Sequence, residues 1–198
     1  MAAKIHLKKW VVKDSNMTTL VQDPNLIFIH IPKNGGTSIT KWLRSNLNGK
    51  KGLIVHGGMQ HIDLDFKHAT EYPTFAVVRN PWDRMVSTYE FKKTKTNLNL
   101  SFRDWLYSTP DESSNWFSFK TAQAAWLSTM PTWLLRFENL NEEFKAIQKY
   151  TNCFLPLPHK NATEHNKYTL YYTTETKKYV GRLFEEDIDL FKYRFEGE

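Results

Sequence analysis

Short apolar runs alternate along the chain with stretches of helical spacing. Leu26-Ile27-Phe28-Ile29-His30-Ile31 is β-rich and apolar, the pattern of a strand buried in a parallel sheet. Pro32 stops it, because proline cannot donate to a sheet ladder. Ile39, Trp42, Leu43 and Leu47 follow at helical spacing, which predicts a helix starting near Thr37 or Ser38. Asp23-Pro24-Asn25 is a turn ahead of the strand, and Ile5 to Val12 reads as an edge strand. Asn48-Gly49-Lys50-Lys51-Gly52 reads as a break, with a short strand at Leu53-Ile54-Val55 after it. Thr74-Phe75-Ala76-Val77-Val78 is the next buried strand. Pro81 then opens a helix at a position that suits its fixed φ, with Met85, Val86 and Tyr89 as its apolar stripe.

The second half is more helical and aromatic. Ser101 caps a predicted helix over Phe102 to Tyr107, and Phe117 to Leu127 reads as another. Thr132 to Phe137 reads as a strand. Asn139 or Asn141 caps a helix carrying Phe144, Ile147 and Gln148. Thr173 or Thr174 caps a last helix with Tyr179, Val180, Leu183 and Phe184 on its buried face, and the ending through Phe195 reads as packing. Strands alternating with helices predict one α/β domain over 1–198, its core from about 26 to 195, with a central, mostly parallel sheet flanked by helices.

Composition narrows the class. A chain of 198 residues that is 15% aromatic suits a packed globule. The single Cys153 excludes an intrachain disulfide and, set in Asn152-Cys153-Phe154-Leu155, reads as a buried thiol. No run has the length of a membrane span, and residues 1–25 lack the apolar core of a signal peptide, so the expectation is a soluble cytoplasmic protein or a trimmed catalytic domain. A net charge of +6 and a pI of about 9.2 favour anionic partners such as nucleotides or acidic glycans. Without a Lys/Arg block, zinc-ligand spacing or a stacking motif, nucleic acid is not the expected partner.

The chemistry begins at Lys33-Asn34-Gly35-Gly36-Thr37-Ser38. Glycines let a backbone approach an oxyanion, and the first N–H groups of a helix lack intrahelical partners. Thr37 and Ser38 add hydroxyl donors and Lys33 adds charge. An ordinary strand-to-helix turn would need neither the lysine nor the glycine pair. The loop is not a Walker A motif, because Lys33 precedes the glycines. The next strand ends in Arg79, where a Mg²⁺-dependent NTPase would offer an aspartate. Arg79 can fork onto a phosphate, and Ser87, two turns into the following helix, can donate to the same group; alone it would read as a solvent-facing serine.

Ile29 to Ser38 resembles the 5′-phosphosulfate loop of sulfotransferases that use 3′-phosphoadenosine 5′-phosphosulfate (PAPS), in particular the group of heparan and dermatan 2-O-sulfotransferases with their bacterial and viral relatives. Arg79-Asn80-Pro81-Trp82-Asp83-Arg84-Met85-Val86-Ser87-Thr88-Tyr89 resembles the 3′-phosphate motif of the same group, Arg-x-Pro-x-x-Arg-x-x-Ser-x-Tyr. The likeness covers roughly Leu26 to Phe195. It implies a P-loop-NTPase-like fold and sulfuryl transfer from PAPS to an acceptor hydroxyl, on a glycan or a small molecule, with PAP as product and no metal. It gives Lys33 to Ser38 to the 5′ end of the donor, and Arg79 and Ser87 to the 3′-phosphate. Arg84 supports the fold through a carboxylate partner. It also implies a covering loop that brings Lys160, Asn161 and Thr163 to the nucleotide.

A neutral imidazole suits proton abstraction from a hydroxyl. The related enzymes carry a His-x-His pair before a Leu-Asp-Phe segment. Leu64-Asp65-Phe66 is present but the pair is not. His61 stands one residue from the second position and is the first candidate base, with His56 second; Asp63 or Asp65 would orient it. A P-loop kinase of small molecules and a non-catalytic binder of PAP or sulfated polymers are the competing readings. Acceptor identity and oligomeric state do not follow from the sequence.

Overall fold

The computed structural model describes residues 18–52, 72–108, 120–127, 129–158 and 166–197. These form two compact units interleaved in sequence. One takes the described residues of Met1–Val78 and Gln123–Lys160, the other those of Arg79–Ala122 and Asn161–Glu198.

The first unit is built on a five-stranded sheet: β1 (Thr18–Gln22), β2 (Asn25–Ile29), β3 (Lys50–Gly52), β4 (Thr74–Val78) and β5 (Trp133–Arg136), in the order β3-β1-β2-β4-β5. β2, β4 and β5 run parallel, with Ile29 beside Ala76 and Val78 beside Arg136. β1 pairs antiparallel with both β2 and β3, so the sheet is mixed, and only the three strands from β2 to β5 carry the expected parallel order. Their neighbours are buried on both faces: Phe28, Phe75 and Val77 on one, Ile27, Ala76 and Val78 on the other. Double burial is why the sequence shows continuous apolar runs rather than alternation.

One face of the sheet packs on helices. Val21, Leu26, Phe28, Phe75, Val77 and Leu135 meet Ile39, Trp42 and Leu43 of α1 (Gly36–Asn46), together with Phe144 and with Ile147 of α5 (Lys145–Thr151). Phe28 stacks on Phe75 with centroids 4.8 Å apart, and Trp42 meets Phe144 edge-on at 5.0 Å. Aromatic side chains buried this way bring large apolar areas plus about 0.5–1.5 kcal/mol per pair.

Several expectations are corrected. β2 ends at Ile29, before His30 and Ile31. α1 starts at Gly36, one residue before the predicted Thr37, and is capped by Gly35. Lys50–Gly52, read as a break, is β3, while Leu53 to Val55 lies outside the described residues, as does Ile5 to Val12. β1 was not predicted: Thr18 and Thr19 are buried in it, and hydroxyl side chains hide a strand from an apolar count. The described part of 117–127 holds only a 3-10 turn, Gln123–Trp126. The predicted helix after Asn139 is two pieces, α4 (Leu140–Glu143) and α5. Cys153 is half-buried, not buried.

The second unit is helical: α2 (Pro81–Thr96), α3 (Phe102–Ser108), α6 (Thr174–Leu183) and α7 (Glu185–Phe191). Trp82, Met85, Val86 and Tyr89 of α2 pack with Phe102, Trp105, Leu106, Tyr168, Val180 and Phe184. Ser101 caps α3 by accepting from the Asp104 N–H at 3.1 Å. Thr173 caps α6 in a reciprocal box with Thr176, so both caps predicted for this unit are found, whereas Asn139 at the start of α4 makes no side-chain cap hydrogen bond. Among the described residues no helix is long and apolar enough to cross a membrane.

Candidate functional site

Parallel pairing of β2 with β4 sets their carboxyl ends side by side, the edge where ligands of α/β sheets gather. Beyond β2 the chain turns through Lys33, whose φ is 70°, and Gly35, whose φ is 77°. Left-handed backbone suits glycine and strains lysine, so Lys33 sits in a conformation that its surroundings must hold. Between them Asn34 turns inward and is 1% exposed. Its amide nitrogen donates to the Val77 carbonyl and to Gln123 Oε1, each at 2.7 Å, while its Oδ1 has no partner among the described residues.

Gly35 caps α1 without a side-chain hydrogen bond, and the first turn of the helix contains no acidic residue. Gly36 is a steric necessity, because a Cβ there would lie 2.0 Å from Cδ2 of His30. That imidazole stacks on Phe28, centroids 5.6 Å apart, so strand, ring and glycine form one packed stack beneath the helix start. Thr37 is exposed and Ser38 half-buried. Lys33 is half-buried. The arrangement supplies backbone donors, hydroxyls and one ammonium without a first-turn carboxylate, which is chemistry suited to an anion.

Arg79 is the residue after β4 and lies in the second unit. Its Nε donates to Asp83 Oδ2 at 2.7 Å, with both side chains largely buried. Arg79 lies just before α2 and Asp83 in its first turn, four residues on, so the helix start brings the carboxylate back to the guanidinium. Ser87 is 5% exposed, which removes the solvent-facing reading of that serine. Asn80 accepts from the Trp82 N–H at 3.1 Å and donates to the Arg194 carbonyl at 2.8 Å. Tyr172 donates to the Trp82 carbonyl at 2.9 Å, and Trp82 Nε1 donates to the Lys177 carbonyl at 3.0 Å. The start of α2 is thus tied at several points to the end of the chain.

Arg84 is 1% exposed and donates from Nη1 to the Thr121 carbonyl at 3.0 Å. Burial lowers its pKa to about 10, the negative charge of Asp187 opposes that shift, and Arg79 adds to it. Asp187 is fully buried and is the carboxylate counterpart expected for Arg84. Tyr89 packs in the aromatic core and donates to the Leu100 carbonyl at 2.8 Å.

The structure brings Lys33, Asn34, Gly35, Gly36, Thr37 and Ser38 together in the first unit, and in the second it sets Arg79 just before α2 and Ser87 two turns into it. His56 and His61, with Asp63 and Asp65, and the loop residues Lys160, Asn161 and Thr163 lie outside the described residues. Sequence reasoning missed three supporting residues. Asp83 was legible from its spacing to Arg79. The packing of His30 on Gly36 left only the bare glycine as a trace. Gln123 left none, since its partner is far away in sequence. Among the described residues no cluster of three or more His, Cys, Asp or Glu side chains could hold a metal ion.

Comparison with known proteins gives no match among curated proteins and none among solved structures. The sequence model of the sulfotransferase family, however, matches residues 16–194, which include the glycine loop, Arg79, the helix start at Pro81 and the C-terminal helices. The chain belongs to the sulfotransferase family.

Proposed function

We propose that this sulfotransferase takes its sulfuryl group from PAPS, like the heparan and dermatan 2-O-sulfotransferase group that its motifs resemble, and passes it to a hydroxyl of a glycan or small molecule. The observation that carries the reading is the loop after β2, where a lysine and two glycines precede a helix start free of carboxylates. Those donors fit a phosphosulfate: the backbone N–H groups at the start of α1 receive an oxyanion, and Thr37 and Ser38 add hydroxyls. The strand, loop and helix would serve as a phosphate loop in a P-loop-NTPase-like domain. Asn34 contributes backbone only, because its side chain is spent on Val77 and Gln123.

Arg79 and Ser87 take the 3′-phosphate. Asp83 fixes the guanidinium plane by accepting from Nε, and a planar guanidinium matches phosphate geometry. In the transfer, the acceptor oxygen attacks sulfur and the bond from sulfur to the bridging phosphate oxygen breaks. Lys33 stabilises the charge that develops on that oxygen, PAP leaves, and the acceptor proton passes to a histidine, His61 before His56. Lys160, Asn161 and Thr163 cover the nucleotide. No step calls on a metal ion.

Titration calorimetry with PAP, ADP and Mg-ATP tests the reading on the wild type, Arg79→Lys and Lys33→Ala. PAP should bind without Mg²⁺ and in preference to ADP, and Arg79→Lys should weaken it by about tenfold or more as a forked, charged contact is lost. Lys33→Ala should cost more in turnover than in PAP binding. Preference for Mg-ATP would favour the kinase reading. PAP binding with turnover unchanged by loss of both His56 and His61 would remove the histidine base.

A further inference from the structure

Asn34 sits between the two left-handed residues of the anion loop, Lys33 and Gly35. A carboxamide has two N–H donors, and both partners of this nitrogen are oxygens: the Val77 carbonyl at the end of β4 and Gln123 Oε1, each at 2.7 Å. Two acceptors fix the orientation of the amide, since turning it over would set Oδ1 against two oxygens. That choice leaves the buried Oδ1 without a donor among the described residues. Gln123 is fully buried and opens the 3-10 turn Gln123–Trp126, which is packed through Ala124 and Ala125. The loop is therefore pinned at its centre to a strand end on one side and to a buried turn on the other, both within the first unit.

We propose that Gln123 is a positioning residue of the anion loop. Through Asn34 it holds the strained Lys33 and the amides of Gly35 and Gly36 in the arrangement that receives the phosphosulfate end of the donor, without touching the donor itself. The role of the arrangement rests on the PAPS reading; the clamp is a property of the loop alone. Pre-arranged donors are worth more than mobile ones because ordering them is not charged against binding. Nothing in the sequence motif marks Gln123, which lies well beyond it along the chain.

The test compares Gln123→Glu, Gln123→Met and Gln123→Asn in the full chain, reading amide hydrogen exchange at Gly35, Gly36 and Thr37 and calorimetric binding of PAP. Glu keeps an acceptor for the Asn34 amide, and Met keeps volume but has no such acceptor. Asn keeps the amide one methylene too short, and serves where Met prevents folding. The expected result is wild-type loop exchange in Gln123→Glu, and exchange faster by about tenfold or more in Gln123→Met or Gln123→Asn, with PAP weakened on a similar scale. Wild-type exchange in Gln123→Met with loosening in Gln123→Glu would show a packing residue and overturn the proposal. Equal exchange in all variants would also overturn it. If the wild type binds no PAP while the exchange pattern appears as expected, the clamp stands and the PAPS reading falls.

Discussion

Gly36 has no room for even a methyl group. The Cβ of an alanine there would fall within 2.0 Å of the His30 ring, so Gly36→Ala must displace the ring or the helix start. Overpacking of this kind costs about 1–3 kcal/mol, and thermal unfolding should show it as a lowered midpoint. The paired change His30→Ala, Gly36→Ala should recover much of the loss, because it removes the obstructing ring. Recovery would separate a steric requirement from a need for glycine flexibility, and Gly36, unlike Gly35, has no positive φ to demand it. The glycine pair therefore divides its work: Gly35 supplies the left-handed turn and Gly36 the close packing.

Capping decides where the helices of the second unit begin. At α6 the Thr173 hydroxyl accepts from the Thr176 N–H at 3.3 Å, and the Thr176 hydroxyl accepts from the Thr173 N–H at 2.9 Å. Thr173→Ala should lower stability by about 1 kcal/mol in denaturant unfolding, the usual cost of a lost hydroxyl cap. This cap, the Ser101 cap, the buried strands β2 and β4 and the Pro81 helix start were all legible, because each is written in neighbouring residues. Elements that depend on distant partners were not. β3 exists because Lys50–Gly52 pairs with β1, although its own Lys-Lys-Gly sequence reads as a break. β1 hides behind buried threonines, and the 3-10 turn at Gln123 replaces a helix that local spacing favoured. The anion loop itself was legible from residue types, but its support by His30 and Gln123 was not, since ring packing and a long-range amide contact leave no periodic mark.

Across the second unit, tyrosines make its stability depend on alkaline pH. Burial pushes Tyr171 up to about 12, with its hydrogen bond to Glu90 and that carboxylate's charge adding to the shift. Burial also raises Tyr168, and lifts Tyr172 well above the usual phenol value. The folded chain thus keeps protons that the unfolded chain releases near pH 10. The stabilisation from Tyr171 is complete below pH 10 and is lost as pH rises through about 12. Urea unfolding on either side of pH 10 should show the decline, and Tyr171→Phe should make it shallower by removing one of the titrating groups. The interleaving of the two units has a further consequence for the order in which the protein is made. Met85, Val86 and Tyr89 of α2 leave the ribosome early, yet Tyr168, Val180 and Phe184, which complete their core, are synthesised late. The nascent chain must carry an unmatched apolar helix face until the segment from Tyr168 to Phe184 has emerged, and over that interval the face is open to aggregation.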